Sequence, residues 1–294
     1  MRAHPNAVDS GRAAAFATAL LGLVALAVAA IPAPGGSGAT ERRYATRAAA
    51  ETSSNWAGFA ATSPTATPVA FTSVTGTWKQ PIATCAQGQA QSASAVWVGL
   101  GGYDLHSQAL QQIGTDSDCT SSGQPSYYMW YELVPDPPVN VKLKIRPGDT
   151  ITASVNASNG VIWMQLKNRT TGVSFDKRVP VSNPDLSSAE WIVEAPSSCS
   201  SFSCRPVPLT NFGSVAFTKI AAIGNGHPGT VTDPTWTNTA IQLVPRTRFG
   251  FFPGSERGVI QTGSSAGTTV PEATADGRGY SLSWTANASG STSG

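Results

Sequence analysis

Histidine is almost missing from this chain: three among 294 residues, of which only His106 and His227 lie beyond the N-terminal apolar stretch. Both fall in Gly- or Ser-containing loop contexts, and no Gly-x-Ser-x-Gly elbow accompanies them, so Ser–His–Asp catalysis has no support. No His-Glu-x-x-His occurs and the cysteines form no Cys-x-x-Cys, which leaves a zinc site without its ligand spacing. No metal or cofactor is expected. Charge is scarce as well, at 12% of residues. Five basic and three acidic residues precede Ser53, leaving 14 of each sign behind it. A body so balanced offers no electrostatic footprint for nucleic acid or an anionic membrane. Helical periodicity is lacking too, with hardly any window beyond residue 53 showing it.

The one long apolar run is N-terminal. Arg2 and Arg12 precede Ala13 to Ala30, and Ala27-Val28-Ala29 supplies a small-x-small exit before Pro32-Ala33-Pro34-Gly35-Gly36. This pattern reads as a signal peptide over residues 1–30, with an uncleaved anchor helix as the rival. Residues 31–52, which hold Arg42, Arg43 and Arg47, read as a linker or short pro-segment. One domain is expected over 53–286 and a flexible end over 287–294. The expected product is a secreted, extracellular monomer with no stable membrane association once the signal is removed. Cys85, Cys119, Cys199 and Cys204 all follow the signal, and an even count in an exported chain implies two disulfides. Of the three pairings, Cys85/Cys119 with a short Cys199/Cys204 loop is favoured.

Period two recurs where helical period is absent. Val139-Asn140-Val141-Lys142-Leu143-Lys144-Ile145 alternates strictly, Arg146-Pro147-Gly148-Asp149 supplies a turn, and Ile151, Ala153 and Val155 resume. Further strands are expected at Phe71 to Trp78, Ala93 to Gly99, Tyr127 to Val134, Val161 to Leu166, Ala189 to Glu194, Val215 to Ile220 and Tyr280 to Trp284. Many strands with turn signals and no crossover helices imply an all-β antiparallel sandwich or barrel.

Side chains two apart on a strand share a face, which maps one surface. Tyr128, Trp130 and Glu132 lie together, opposite Met129, Tyr131 and Leu133; Glu190 lies with Glu194, opposite Trp191 and Val193; Gln112 lies with Asp116. Only five Glu follow Ser53, and three of them sit in these strand windows beside Trp or Tyr. A solvated sheet face is the plain alternative to a groove for an extended polymer.

Ser53-Ser54-Asn55-Trp56-Ala57-Gly58, Val74-Thr75-Gly76-Thr77-Trp78, Trp97-Val98-Gly99, Gln112-Ile113-Gly114-Thr115-Asp116, Trp130-Tyr131-Glu132, Ala189-Glu190-Trp191-Ile192-Val193-Glu194 and Phe212-Gly213-Ser214-Val215 occur in that order. The series resembles the glutamic peptidases, or eqolisins, across nearly the whole chain after Ser53. The resemblance implies a sandwich of two curved antiparallel sheets (concanavalin-like), protein or peptide substrates lying across the concave sheet, a Gln/Glu dyad, and action at acid pH. It places the glutamine on Gln112 and the glutamate on Glu194, with Glu190 as the rival on the same face. Trp97, Asp116, Trp130 and Glu132 match positions that line the family's cleft. Where fungal members carry an acidic residue after the Trp-Val-Gly-x block, this chain has Gly101 and Gly102; where they carry aromatics after Trp-Tyr-Glu, it has Leu133 and Val134. A carbohydrate-active sandwich, with Glu132 and Glu194 as a carboxylate pair, is the reading from another class.

Overall fold

The computed structural model describes residues 50–65, 67–104, 106–200, 203–244, 247–248, 260–261 and 266–286. The expected signal peptide, most of the linker and the C-terminal end lie outside these. Among the described residues all regular structure is strand. In chain order the strands are β1 (Glu51–Ser53), β2 (Trp56–Thr62), β3 (Phe71–Lys79), β4 (Ala95–Leu100), β5 (Leu110–Cys119), β6 (Pro125–Val134) and β7 (Val139–Val141). They continue as β8 (Thr150–Ser158), β9 (Val161–Asn168), β10 (Ser174–Pro180), β11 (Ser188–Glu194), β12 (Ser197–Ser200), β13 (Ser203–Pro206) and β14 (Ser214–Gly224). The last are β15 (His227–Gly229), β16 (Thr237–Leu243), β17 (Thr247–Arg248), β18 (Ile260–Gln261), β19 (Ala266–Thr268), β20 (Glu272–Ala273) and β21 (Gly279–Ala286).

Two sheets form a sandwich. The first runs β1-β16-β2-β11-β4-β5-β6-β7, and the second β10-β9-β8-β3-β14-β21-β19, with β15 beside β14 and β20 beside β21. Pairing is antiparallel except where β1 lies parallel to β16, Glu51 opposite Ile241. The first sheet therefore takes in Glu51 and Thr52, two residues that the sequence pattern assigns to the linker.

The alternation seen in the sequence builds the core. Phe59, Val98, Ile113, Met129, Trp191 and Val193 of the first sheet meet Trp78, Val155, Met164, Phe217 and Tyr280 of the second in one buried cluster. Each large side chain shut away here contributes on the order of 1.5–3 kcal/mol. Their neighbours on β2, β4, β5, β6 and β11, with Ile241 of β16, point the other way and form a second, smaller cluster of Ala60, Ala95, Trp97, Leu110, Trp130, Ile192 and Ile241.

The indole of Trp191 crosses the interface, its Nε1 donating to the Thr75 carbonyl at 2.7 Å. The carbonyl of Trp191 accepts the Tyr280 hydroxyl at 2.9 Å. Gly58 makes room for this: its φ is +142°, and a Cβ there would lie 2.1 Å from the Trp191 carbonyl oxygen.

The strand expected over Val139–Ile145 is paired only as far as Val141. Leu143 N turns back to the Val141 carbonyl at 2.7 Å, so the backbone leaves the ladder. Leu143 and Ile145 still bury their side chains in the main core, which is why the sequence alternates without a strand to carry it. Cys85 and Cys119 form a disulfide. Cys199 and Cys204 are cross-strand partners in β12–β13, though their side chains lie outside the described residues.

Candidate active site

Four adjacent strands, β11, β4, β5 and β6, set the site, and their register arranges it in rows. Glu190, Gly99, Gln112 and Glu132 are successive cross-strand partners; so are Ile192, Trp97, Gly114 and Trp130, and then Glu194, Ala95, Asp116 and Tyr128. Every sequence-predicted site residue thus lies on one face of one sheet. Gly99 and Gly114 leave space for their neighbour Trp97: a Cβ on Gly114 would come within 2.6 Å of Trp97 Cβ, and one on Gly99 within 2.9 Å of its ring.

Gln112 is only 5% exposed. Its Nε2 donates to Glu132 Oε2 at 2.5 Å. The amide nitrogen carries two hydrogens, so this bond leaves one of them available. Burial raises the Glu132 carboxyl above its ordinary range, and the Gln112 bond opposes that rise.

Glu194 is partly open to solvent and each of its oxygens meets a donor. Trp97 Nε1 donates to Oε2 at 2.7 Å, and Asn55 Nδ2 to Oε1 at 3.3 Å. Burial pushes this carboxyl up to about 7; the donors Trp97, Trp56 and Asn55 hold it down, and the charge of Glu132 adds to the rise. Glu132 and Glu194 therefore sense one another across the hollow.

Glu190 shares the row of Gln112 but is wholly buried, and neither carboxyl oxygen has a hydrogen-bond partner. Burial drives it well above the usual carboxylate range; the Ser188 hydroxyl tempers this without a hydrogen bond of normal geometry.

The far end of the face holds a second acid pair. Trp130 Nε1 donates to Asp116 Oδ1 at 2.5 Å, and Tyr128 Oη to Asp118 Oδ2 at 2.8 Å. Asp116 is raised well above the carboxylate range by burial and by the charge of Asp118, and Asp118 is pushed by burial up to about 6.

Sequence reasoning names Gln112, Glu194, Trp97, Asp116, Trp130, Glu132 and Glu190, and the structure gathers all seven. It passes over Asn55 and Trp56 as ligands of Glu194, although both stand in the first motif block. It passes over Asp118, two residues beyond Asp116 and so legible from strand alternation. His227 bonds Asp233 at 2.9 Å on the surface, with no nucleophile as its partner.

The Peptidase A4 family model matches residues 54–247. The chain belongs to this family, and it is a glutamic peptidase of the eqolisin kind. Scytalido-glutamic peptidase bound to a peptide-based transition-state analogue superposes with a TM-score of 0.58 at 25% identity, over 78% of this chain and 98% of that one. SCP-B, an eqolisin in complex with the tripeptide Ala-Ile-His, gives 0.56 at 24% identity over 78% and 98%. Aspergilloglutamic peptidase from Aspergillus niger gives 0.46 at 29% identity over 66% and 99%. No curated protein matches the chain. Family membership leaves the carbohydrate-active reading without support.

Proposed function

We propose that this glutamic peptidase is an exported endopeptidase in which Glu194 moves the protons and Gln112 stabilises the oxyanion. The observation that carries the reading is Glu194, a partly exposed residue whose carboxyl is held by Trp97 and Asn55 on the face that bears Gln112. Ionised Glu194 takes a proton from water as the water oxygen bonds to the scissile carbonyl carbon. The free hydrogen on Gln112 Nε2 donates to the oxyanion as it forms. Glu194 then gives its proton to the amide nitrogen, the C–N bond breaks, and the carboxyl is ionised again. Glu132 holds the amide so that nitrogen, not oxygen, faces the substrate. Glu190 is the poorer base because no water reaches it.

A working range on the acid side is supported by two opposed trends. Ionisation of Glu194 favours pH values approaching about 7, while the buried acids that surround it favour a fold kept below that. Export is supported by the Arg2–Ala30 pattern.

The test is digestion of a denatured protein at pH ~5 by purified material, with products mapped by mass spectrometry. Glu194→Gln and Gln112→Ala should each lose about 100- to 1,000-fold in rate, and Glu190→Gln should remain active. Activity that survives Glu194→Gln but dies with Glu190→Gln would transfer the role to Glu190. Recovery of the protein from culture medium with a trimmed N-terminus tests export.

A further inference from the structure

The end of β4 leads into a loop that is fastened with unusual firmness. Gly101 and Gly102 have φ of +81° and +87°, and a Cβ on Gly101 would sit 2.6 Å from Asp185 Cβ. Asp185 fills the space that a side chain there would need. Its Oδ2 accepts from Gly102 N at 3.0 Å and from Ser107 Oγ at 2.5 Å, and its Oδ1 accepts from Ser187 N at 2.8 Å. Burial works against the charge on Asp185, but these donors keep the carboxyl below its ordinary range.

The fastened loop delivers Tyr103 over the hollow. Its ring packs against the Trp97–Ile192–Ile241 cluster, and its hydroxyl donates to Glu51 Oε2 at 2.6 Å. Glu51 belongs to β1, which is separated from β4 by β16, β2 and β11 in the sheet order. A bond between those two places can form only because the sheet curls and the two side chains reach across it. Burial and the bond to Glu51 push the Tyr103 hydroxyl up to about 12, so it remains a donor throughout the working range. Beneath lies Glu190, sealed from solvent. Beside the bar is a pocket of about 870 Å³ whose walls include Glu51, Asn55, Trp56, Tyr103, Ser188 and Ile241. Asn55, which bonds Glu194, is thus shared between the pocket and the reacting carboxyl.

We propose that Tyr103 is a specificity-determining residue: with Glu51 it bars the hollow and walls the pocket that Asn55 joins to Glu194, so that a peptide side chain lodged there meets the Tyr103 ring. The inference rests on the reading of Glu194 and Gln112 given above. The bar is particular to a chain with glycines at 101 and 102, because any side chain at 101 would displace Asp185 and release the loop.

The test is cleavage of a peptide library with one variable position at a time, by the parent protein, Tyr103→Ala, Tyr103→Phe and Glu51→Ala. In the parent, one position should discriminate against bulky side chains. Tyr103→Ala should relax the small-to-bulky ratio of kcat/KM at that position by about tenfold or more, a change typical of a pocket wall removed. The change should appear in KM more than in kcat. Tyr103→Phe and Glu51→Ala should move the same position in the same direction, and combining them should add nothing. Cleavage by all four proteins with superimposable profiles would overturn the bar while leaving the dyad standing. A parent protein that cleaves no peptide would overturn the dyad and the bar together.

Discussion

The Gln112 amide and the Glu132 carboxyl face one another directly across β5 and β6, and Gln112 Nε2 donates to Glu132 Oε2. In the proposed mechanism that bond has a task, since an amide free to flip would present its oxygen to the oxyanion half the time and would lose preorganisation.

Replacing Glu132 by Ala is accordingly expected to lower kcat about ten- to hundredfold, the usual scale for a misplaced catalytic group. KM should change far less. Steady-state kinetics on one peptide checks this, and an unaltered kcat would mean that another group orients Gln112.

Trp97→Phe keeps an aromatic ring beside the Glu194 carboxyl but removes the Nε1 donor. That donor favours the ionised form, so without it the Glu194 carboxyl should climb above about 7. The acid limb of kcat/KM should move to higher pH by about one unit, the scale of a lost hydrogen bond to a charged group. A limb that stays in place would show that Glu194 does not govern it.

Stability should fall as the medium turns alkaline. Glu194 near 7 and Asp118 near 6 both lie above their values in an open chain, as do Asp116 and Glu190. A carboxyl raised by folding contributes its full stabilisation below about pH 4 and loses it as pH rises through the folded value. Raising one carboxyl by a single pH unit corresponds to about 1.4 kcal/mol, so the loss between pH ~4 and ~8 amounts to a few kcal/mol. Thermal melts across that range should show Tm highest in acid; a Tm that climbs toward pH 8 would contradict the burial of these acids.

Gly58→Ala should be costly, by about 3 kcal/mol or more, because a strained φ and a clash with the Trp191 carbonyl combine. Gly213→Ala, at φ +68° with nothing within 4 Å, isolates the strain alone and should cost about 1 kcal/mol. Equal losses in urea unfolding would show that the β2–β11 contact is not tight.

Much of this site was legible because strand alternation is a local rule. Once β11 is a strand, Glu190, Ile192 and Glu194 must share a face, and the same holds for Gln112 and Asp116 on β5. What alternation cannot supply is depth. Glu190 and Glu194 look equivalent in the sequence, yet the first is wholly buried while the second stays partly exposed. Nor could periodicity show that the Val139–Ile145 stretch leaves its ladder after Val141, since Leu143 and Ile145 satisfy the same pattern as unpaired core residues. The β1 boundary escaped for a related reason: Glu51 and Thr52 are exposed edge residues with no apolar signature.

Trp191 has a wider consequence. Its indole reaches Thr75, its carbonyl receives Tyr280, and the strand that holds it bears both glutamates. The rear layer therefore acts as a jig for the front one, and wear in the jig should register as lost turnover before it registers as unfolding. Tyr280→Phe, which touches nothing in the groove, is expected to lower kcat several-fold at a temperature where the melt is still flat. Selection for hardier or faster forms of this enzyme should accordingly find its substitutions on the side of the molecule that substrate never visits.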